Sequence, residues 1–103
     1  MAYIDPTTVN SPRTNWTLIE VLTDRGPGDA SIAIGTWTED GGTPQRVLAM
    51  RWNGNADDGG VGHPQSRGLP TWFMVPRWMF PTILSGDVIP PEKSALVAAL
   101  LGS

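Results

Sequence analysis

Between Asn53 and Thr71 the chain reads N-G-N-A-D-D-G-G-V-G-H-P-Q-S-R-G-L-P-T, and this stretch holds its one histidine, an adjacent pair of aspartates and an arginine. His63 with Asp57 and Asp58 is the only constellation with the residue types for acid–base work. Imidazole titrates near neutrality, and a carboxylate is the usual group to orient it. Arg67, beside Gln65 and Ser66, carries the planar fork that clamps a carboxylate or phosphate through two hydrogen bonds. The plainer roles are a loop residue for His63, and for Arg67 a brace onto backbone carbonyls or onto Asp57 and Asp58.

Other chemistries find less in the same stretch. A histidine–aspartate metal site needs further ligands, and none stands at helical or hairpin spacing from His63. Asn53-x-Asn55-x-Asp57 follows the start of a calcium loop. However, Asp58 stands where that loop needs glycine, and Pro64 where it needs a bidentate glutamate. Gly59-Gly60-x-Gly62 lacks the lysine and serine of a phosphate loop and the helix behind a dinucleotide fingerprint. Ser66 sits in P-Q-S-R-G rather than in the G-x-S-x-G of a nucleophile elbow. With no cysteine in the chain, disulfides and thiolate ligation are excluded. The sequence therefore implies no metal and no cofactor.

The elements around this stretch must position it. Asn15–Thr23 and Ser31–Thr38 are rich in β-branched and aromatic residues and read as strands, as does Arg46–Trp52. Asp24–Asp29 and Glu39–Pro44 are the turns between them, and connections this short predict an antiparallel meander. Beyond the long loop, Trp72–Val75 is a short fourth strand ended by Pro76. Residues 77–86 read as a helical turn or two broken at Pro81. Pro90–Ser94 followed by A-L-V-A-A-L-L and Gly102 reads as a helix, with proline in its first turn and glycine at its stop. Residues 1–14 are polar and proline-punctuated and read as a flexible arm, leaving 15–103 as one domain. The expected class is α+β: an antiparallel sheet of about four strands with a C-terminal helix.

Strand alternation sorts the side chains. One register places Ile19, Val21, Ile32, Ile34, Leu48, Met50 and Trp52 on a core face. The opposite face then holds Trp16, Leu18, Glu20, Leu22, Ser31, Ala33, Gly35, Trp37, Val47, Ala49 and Arg51. Its small residues lie between tryptophans, so it should be covered by another element or bind something. The terminal helix, apolar nearly all round from Ala95 to Leu101, is one cover and is also a surface for a two-fold dimer. The candidate binding residues are thus His63, Gln65 and Arg67 of the loop, with Trp16, Trp37 and Arg51 of that second face. Leu69 and Trp72 would pin the far end of the loop to the core.

Charge narrows the partners. The net charge is −3, which disfavours wholesale attraction to nucleic acid or anionic lipid. It is unevenly spread: residues 1–44 hold six acids against two arginines, and residues 45–80 four arginines against two aspartates. No segment reaches the ~20 apolar residues of a membrane span. Met1–Thr8 lacks the basic and apolar regions of a signal peptide. A cytoplasmic location is expected, with a protein partner or a second copy as occupant and a small molecule as the alternative.

His63-Pro64-Gln65 is similar to the tripeptide of streptavidin-binding peptides. The longer string from R-W-N-G through P-Q-S-R-G-L-P-T-W-F resembles small uncharacterised bacterial proteins of mobile elements such as integron gene cassettes. That resemblance implies no activity and no site. The functional expectation is a non-enzymatic binding or interaction module, an accessory protein of a mobile element. The alternative is a small enzyme or small-molecule-binding protein with its site in the 53–71 loop.

Overall fold

The computed structural model describes residues 5–10, 15–54, 62–66, 69–85 and 88–101. Three long strands, β1 (Trp16–Asp24), β2 (Ala30–Trp37) and β3 (Gln45–Trp52), form an antiparallel meander. The two-residue strands β4 (Gln65–Ser66) and β5 (Leu69–Pro70) pair only with each other, and β6 (Phe73–Met74) closes the main sheet in the order β1-β2-β3-β6. A short helix α1 (Phe80–Ser85) and the C-terminal helix α2 (Ser94–Leu101) complete the α+β fold. Pro81 does not break α1: it occupies the first turn, where its missing N–H has no intrahelical partner to lose. Among the described residues no helix is long and apolar enough to cross a membrane.

β2 and β3 pair without interruption from Ala30↔Trp52 to Trp37↔Gln45, so their side chains divide between the faces as alternation predicts. β1 does not follow. Its register against β2 shifts between Leu18 and Glu20 and again between Val21 and Thr23. Each inserted residue flips the rest of the strand onto the other face. Glu20 therefore stands opposite Ile34 and Val21 opposite Ala33, while Ile19 is exposed. The expected placement of Ile19 and Val21 beside Ile34 is corrected by these bulges.

The displaced Glu20 has a use. Lys93, just before α2, donates to its carboxylate and to the carbonyl of Val21, and Thr23 on the same face donates to the carbonyl of Val88. These bonds seat the start of α2 on the face that carries Ile34 and Leu48, both fully buried, and Val97 of α2 joins that core. The helix turns Ser94, Ala95, Ala98 and Ala99 outward. Its exposed positions are small or polar, while Leu96, Leu100 and Leu101 are half-buried.

The small-residue face is filled from within the chain. The indole of Trp16, 3% exposed, lies over Gly35 and is tilted against Trp72 with ring centroids 6.3 Å apart. Trp72 Nε1 donates to the carbonyl of Val9 at 2.7 Å, drawing the N-terminal segment onto the sheet. Within the stretch read as an arm, Pro6–Thr8 form a 3₁₀ turn with Pro6 and Val9 buried. Asp5 caps that turn, and the Thr7 hydroxyl and then its N–H hold the Asp5 carboxyl below the ordinary carboxylate range.

Gly35 permits this closure. A Cβ built there would overlap the Thr17 carbonyl oxygen and approach Trp16 Cζ2 to 2.8 Å. Backbone cannot yield as a flexible side chain does, so Gly35→Ala should lower the unfolding free energy by about 1–3 kcal/mol. A urea titration measures it. An unchanged midpoint would show that Trp16 does not need this close approach.

Candidate functional site

Past Trp52 the chain leaves the sheet through Asn53, whose side chain is fully buried. Its Nδ2 donates to the Gly26 carbonyl at 2.9 Å and to Asp24 Oδ1 at 3.1 Å, and its Oδ1 accepts from Ser31 Oγ at 2.7 Å. Its backbone N–H donates to the Asp29 carbonyl, and the N–H of Gly28 to the carbonyl of Gly54, both at 2.9 Å. A buried amide is tolerated only when bonded this fully. The result ties the start of the long loop to the β1–β2 turn.

The chain returns to the sheet at His63, which pairs with Trp52 through N–H···O bonds of 2.6 and 3.1 Å. Gly62 makes that return possible at φ +66, where a Cβ would overlap the Trp52 carbonyl oxygen and come within 2.7 Å of Arg51 Nη2. Two positions back along β3, Met50 pairs with Phe73. His63 and Phe73 thus lie on the same edge of β3, yet residues 64–72 separate them in sequence. The fourth strand is split, and the described intervening residues leave the sheet as a finger. Thr71 N–H closes its base on the Pro64 carbonyl at 3.0 Å, and β4 pairs with β5 inside it. The stretch read as a long loop therefore contains a second, small ladder.

Splitting the strand opens a cleft of about 390 Å³ lined by Ala30, Met50, Trp52, His63, Pro64, Phe73 and Arg51. Directly paired residues on antiparallel strands share a face. The pairs Ala30↔Trp52, Trp52↔His63 and Met50↔Phe73 consequently place five side chains on the helix-covered side of the sheet. Burial falls along this face, from fully buried Leu48 through half-buried Met50 to Trp52 at 57% exposed, with Phe73 at 56%. α2 explains the gradient: eight residues make a rod of only ~12 Å, too short to reach the far corner.

The predicted residues are distributed differently from expectation. His63 is exposed at the mouth of the cleft, joined to Pro64 by a cis peptide bond. Gln65 turns its Nε2 inward to the Gly62 carbonyl at 2.7 Å, bracing the loop. Arg51, 3% exposed, points to the opposite face and donates from Nη1 to the Thr71 carbonyl, so it holds the base of the finger. Trp16 is in the core, and half-buried Trp37 donates from Nε1 to the carboxylate of Glu39. Trp72 is buried as the expected pin. Arg67, Asp57 and Asp58 lie outside the described residues. Among the described residues no group of three or more His, Cys, Asp or Glu side chains could hold a metal ion.

Trp52, Phe73, Met50 and Ala30, which form most of the cleft, were not singled out by type or motif. Alternation put Trp52 and Met50 on the correct face, but nothing in it marks where the covering helix stops. Comparison of the chain with known protein families, with curated proteins and with solved structures returns no match.

The cleft depends on Asn53 and Gly62. Asn53→Ala leaves Ser31 Oγ and the Gly26 carbonyl without this partner, and should cost about 2–3 kcal/mol of stability. Amide exchange at Trp52 and His63 should accelerate with it. Protection retained at both sites in a destabilised variant would mean that the bridge forms without the Asn53 anchor.

Proposed function

We propose that this protein is a non-catalytic binding module that receives an apolar ligand in the cleft between Trp52 and Phe73. The observation that carries this reading is that two exposed rings, Trp52 and Phe73, line one shaped cavity, whereas Trp78, exposed at 77%, is not among its lining residues. A large apolar side chain left in solvent forgoes about 1.5–3 kcal/mol of burial free energy. A ligand that covers it recovers that stabilisation. The volume lies within the range of small-molecule sites, at its lower end. Met50, on the floor, is soft and polarisable and favours contact with rings.

The lining is hydrocarbon and aromatic apart from His63 and Arg51, which suits recognition by contact area rather than by polar chemistry. A catalytic alternative would bring Asp57 or Asp58 to His63. The binding reading needs neither.

An isotopically labelled chain tests it through the five indole N–H signals. Uncharged apolar probes, aliphatic and aromatic, should move the Trp52 signal at millimolar concentration or below and leave that of Trp16 in place. Trp52→Ala should weaken binding at least tenfold, about 1.4 kcal/mol, while the melting temperature changes little because Trp52 is mostly exposed. No movement of the Trp52 signal with any probe would overturn the reading.

A further inference from the structure

We infer that the Asn53–Gly54 peptide is a deamidation site sealed by the fold. A chain that opens here and reacts cannot rebuild the anchor that sets the Trp52–His63 bridge, and loses the cleft with it. The fold requires both residues for separate reasons. Asn53 must be a carboxamide, because its buried side chain donates to the Gly26 carbonyl and to Asp24 Oδ1 and accepts from Ser31 Oγ. Gly54 turns the chain at φ +88, a backbone conformation that residues with a Cβ rarely adopt. The resulting asparagine–glycine pair is the sequence in which a carboxamide is most open to attack by the next backbone nitrogen, since glycine has no side chain to hinder the approach. In that reaction the Gly54 nitrogen loses its proton and bonds to Asn53 Cγ, the Cγ–Nδ2 bond breaks, and Nδ2 departs as ammonia. Water then opens the cyclic imide at either carbonyl, which leaves an aspartate or its β-linked isomer.

The native contacts block ring closure. It needs the carboxamide carbon to swing onto the Gly54 nitrogen, which would break bonds of 2.7, 2.9 and 3.1 Å to Ser31, Gly26 and Asp24. The backbone is pinned on both sides as well: Asn53 N–H donates to the Asp29 carbonyl, and the Gly54 carbonyl accepts from Gly28 N–H, each at 2.9 Å. Both residues are buried, which keeps away the base that would take the Gly54 proton and the water that would open the imide. The same contacts exclude the product. An ionised carboxylate has only acceptors, and would face the Gly26 carbonyl and Asp24 Oδ1 with no donor between them. It would also set a second negative charge against the Asp24 carboxylate from a fully buried position. Arg25 of the same turn is already paired with Asp29. The β-linked isomer adds a backbone carbon, which displaces Gly54 from Gly28.

Peptide mapping by mass spectrometry tests this on the full chain, held in warm, mildly alkaline buffer with and without denaturing urea. It reads the four asparagines separately: Asn10, Asn15, Asn53 and Asn55. In urea Asn53 should convert first. In native buffer it should convert at least about tenfold more slowly than in urea, because the reaction must await a minority open state. Exposed Asn10 should then overtake it. Once the urea is removed, chains converted at Asn53 should fail to regain amide protection at Trp52 and His63, whereas unconverted chains regain it. Asn53→Asp, which makes the α-linked product directly, should lose more urea stability at neutral pH than Asn53→Ala, since it adds a charge beside Asp24. Slower conversion of Asn53 than of Asn10 in urea would overturn the site itself. Conversion in native buffer as fast as in urea would overturn the sealing. A urea midpoint of Asn53→Asp equal to the parent's, or recovered protection in converted chains, would overturn the irreversible loss. The outcome does not depend on what the cleft binds.

Discussion

The carboxamide of Asn53 sits where three parts of the chain meet: the end of β3, the β1–β2 turn and the first strand of the sheet. A primary amide has two donors and two acceptor sites, and its bonds to Asp24, Gly26 and Ser31 engage both ends of the group. Because the group is fully buried, these bonds are not interchangeable with water. They fix the direction in which the chain leaves Trp52. The return at His63 is then constrained from the other side by Gly62, whose Cα lies too close to the Trp52 carbonyl for any side chain. Departure and return are thus both pinned, and Trp52 between them is held by its bridge to His63 rather than by burial.

This anchoring makes the split fourth strand tenable. A strand that pairs at one residue, leaves for residues 64–72 and pairs again would ordinarily fray at the gap. Here Arg51, the β3 residue facing the gap, reaches to the opposite side and donates to the Thr71 carbonyl, while Thr71 N–H closes onto Pro64. The gap is therefore bonded on one face of the sheet and open on the other. On the bonded face lie Trp16, Trp72 and Val9, all buried. On the open face lies the cleft.

Much of this architecture is legible in the residues. The β-branched runs, the glycine- and proline-bearing turns and the proline-led terminal helix mark the elements within a residue or two of their bounds. β2 and β3 obey alternation because their pairing is unbroken. β1 escapes it because a bulge is set by tertiary fit: nothing in L-I-E-V-L-T announces that Ile19 will be extruded so that Glu20 can meet Lys93, seventy-three residues away. The site is legible in location and not in composition. Residue types drew attention to His63, Gln65 and Arg51, the last two of which brace the loop. The cleft walls are ordinary strand residues whose exposure comes from the length of α2 and from the split edge, neither of which is a local property.

The contrast between the two faces bears on how the cleft would work. Both are built from large rings set among small residues, Trp16 over Gly35 on one side and Trp52 beside Ala30 on the other. On the first face the missing volume is supplied by the chain's own indoles, and the surface is closed. On the second it is supplied by nothing in the described chain, although the walls stand on ladder-paired residues whose spacing the sheet fixes. A site whose walls are held by backbone pairing loses little conformational freedom when it is filled. Its selectivity then rests on shape and apolar contact more than on polar chemistry, since the lining is hydrocarbon and aromatic apart from His63 and Arg51.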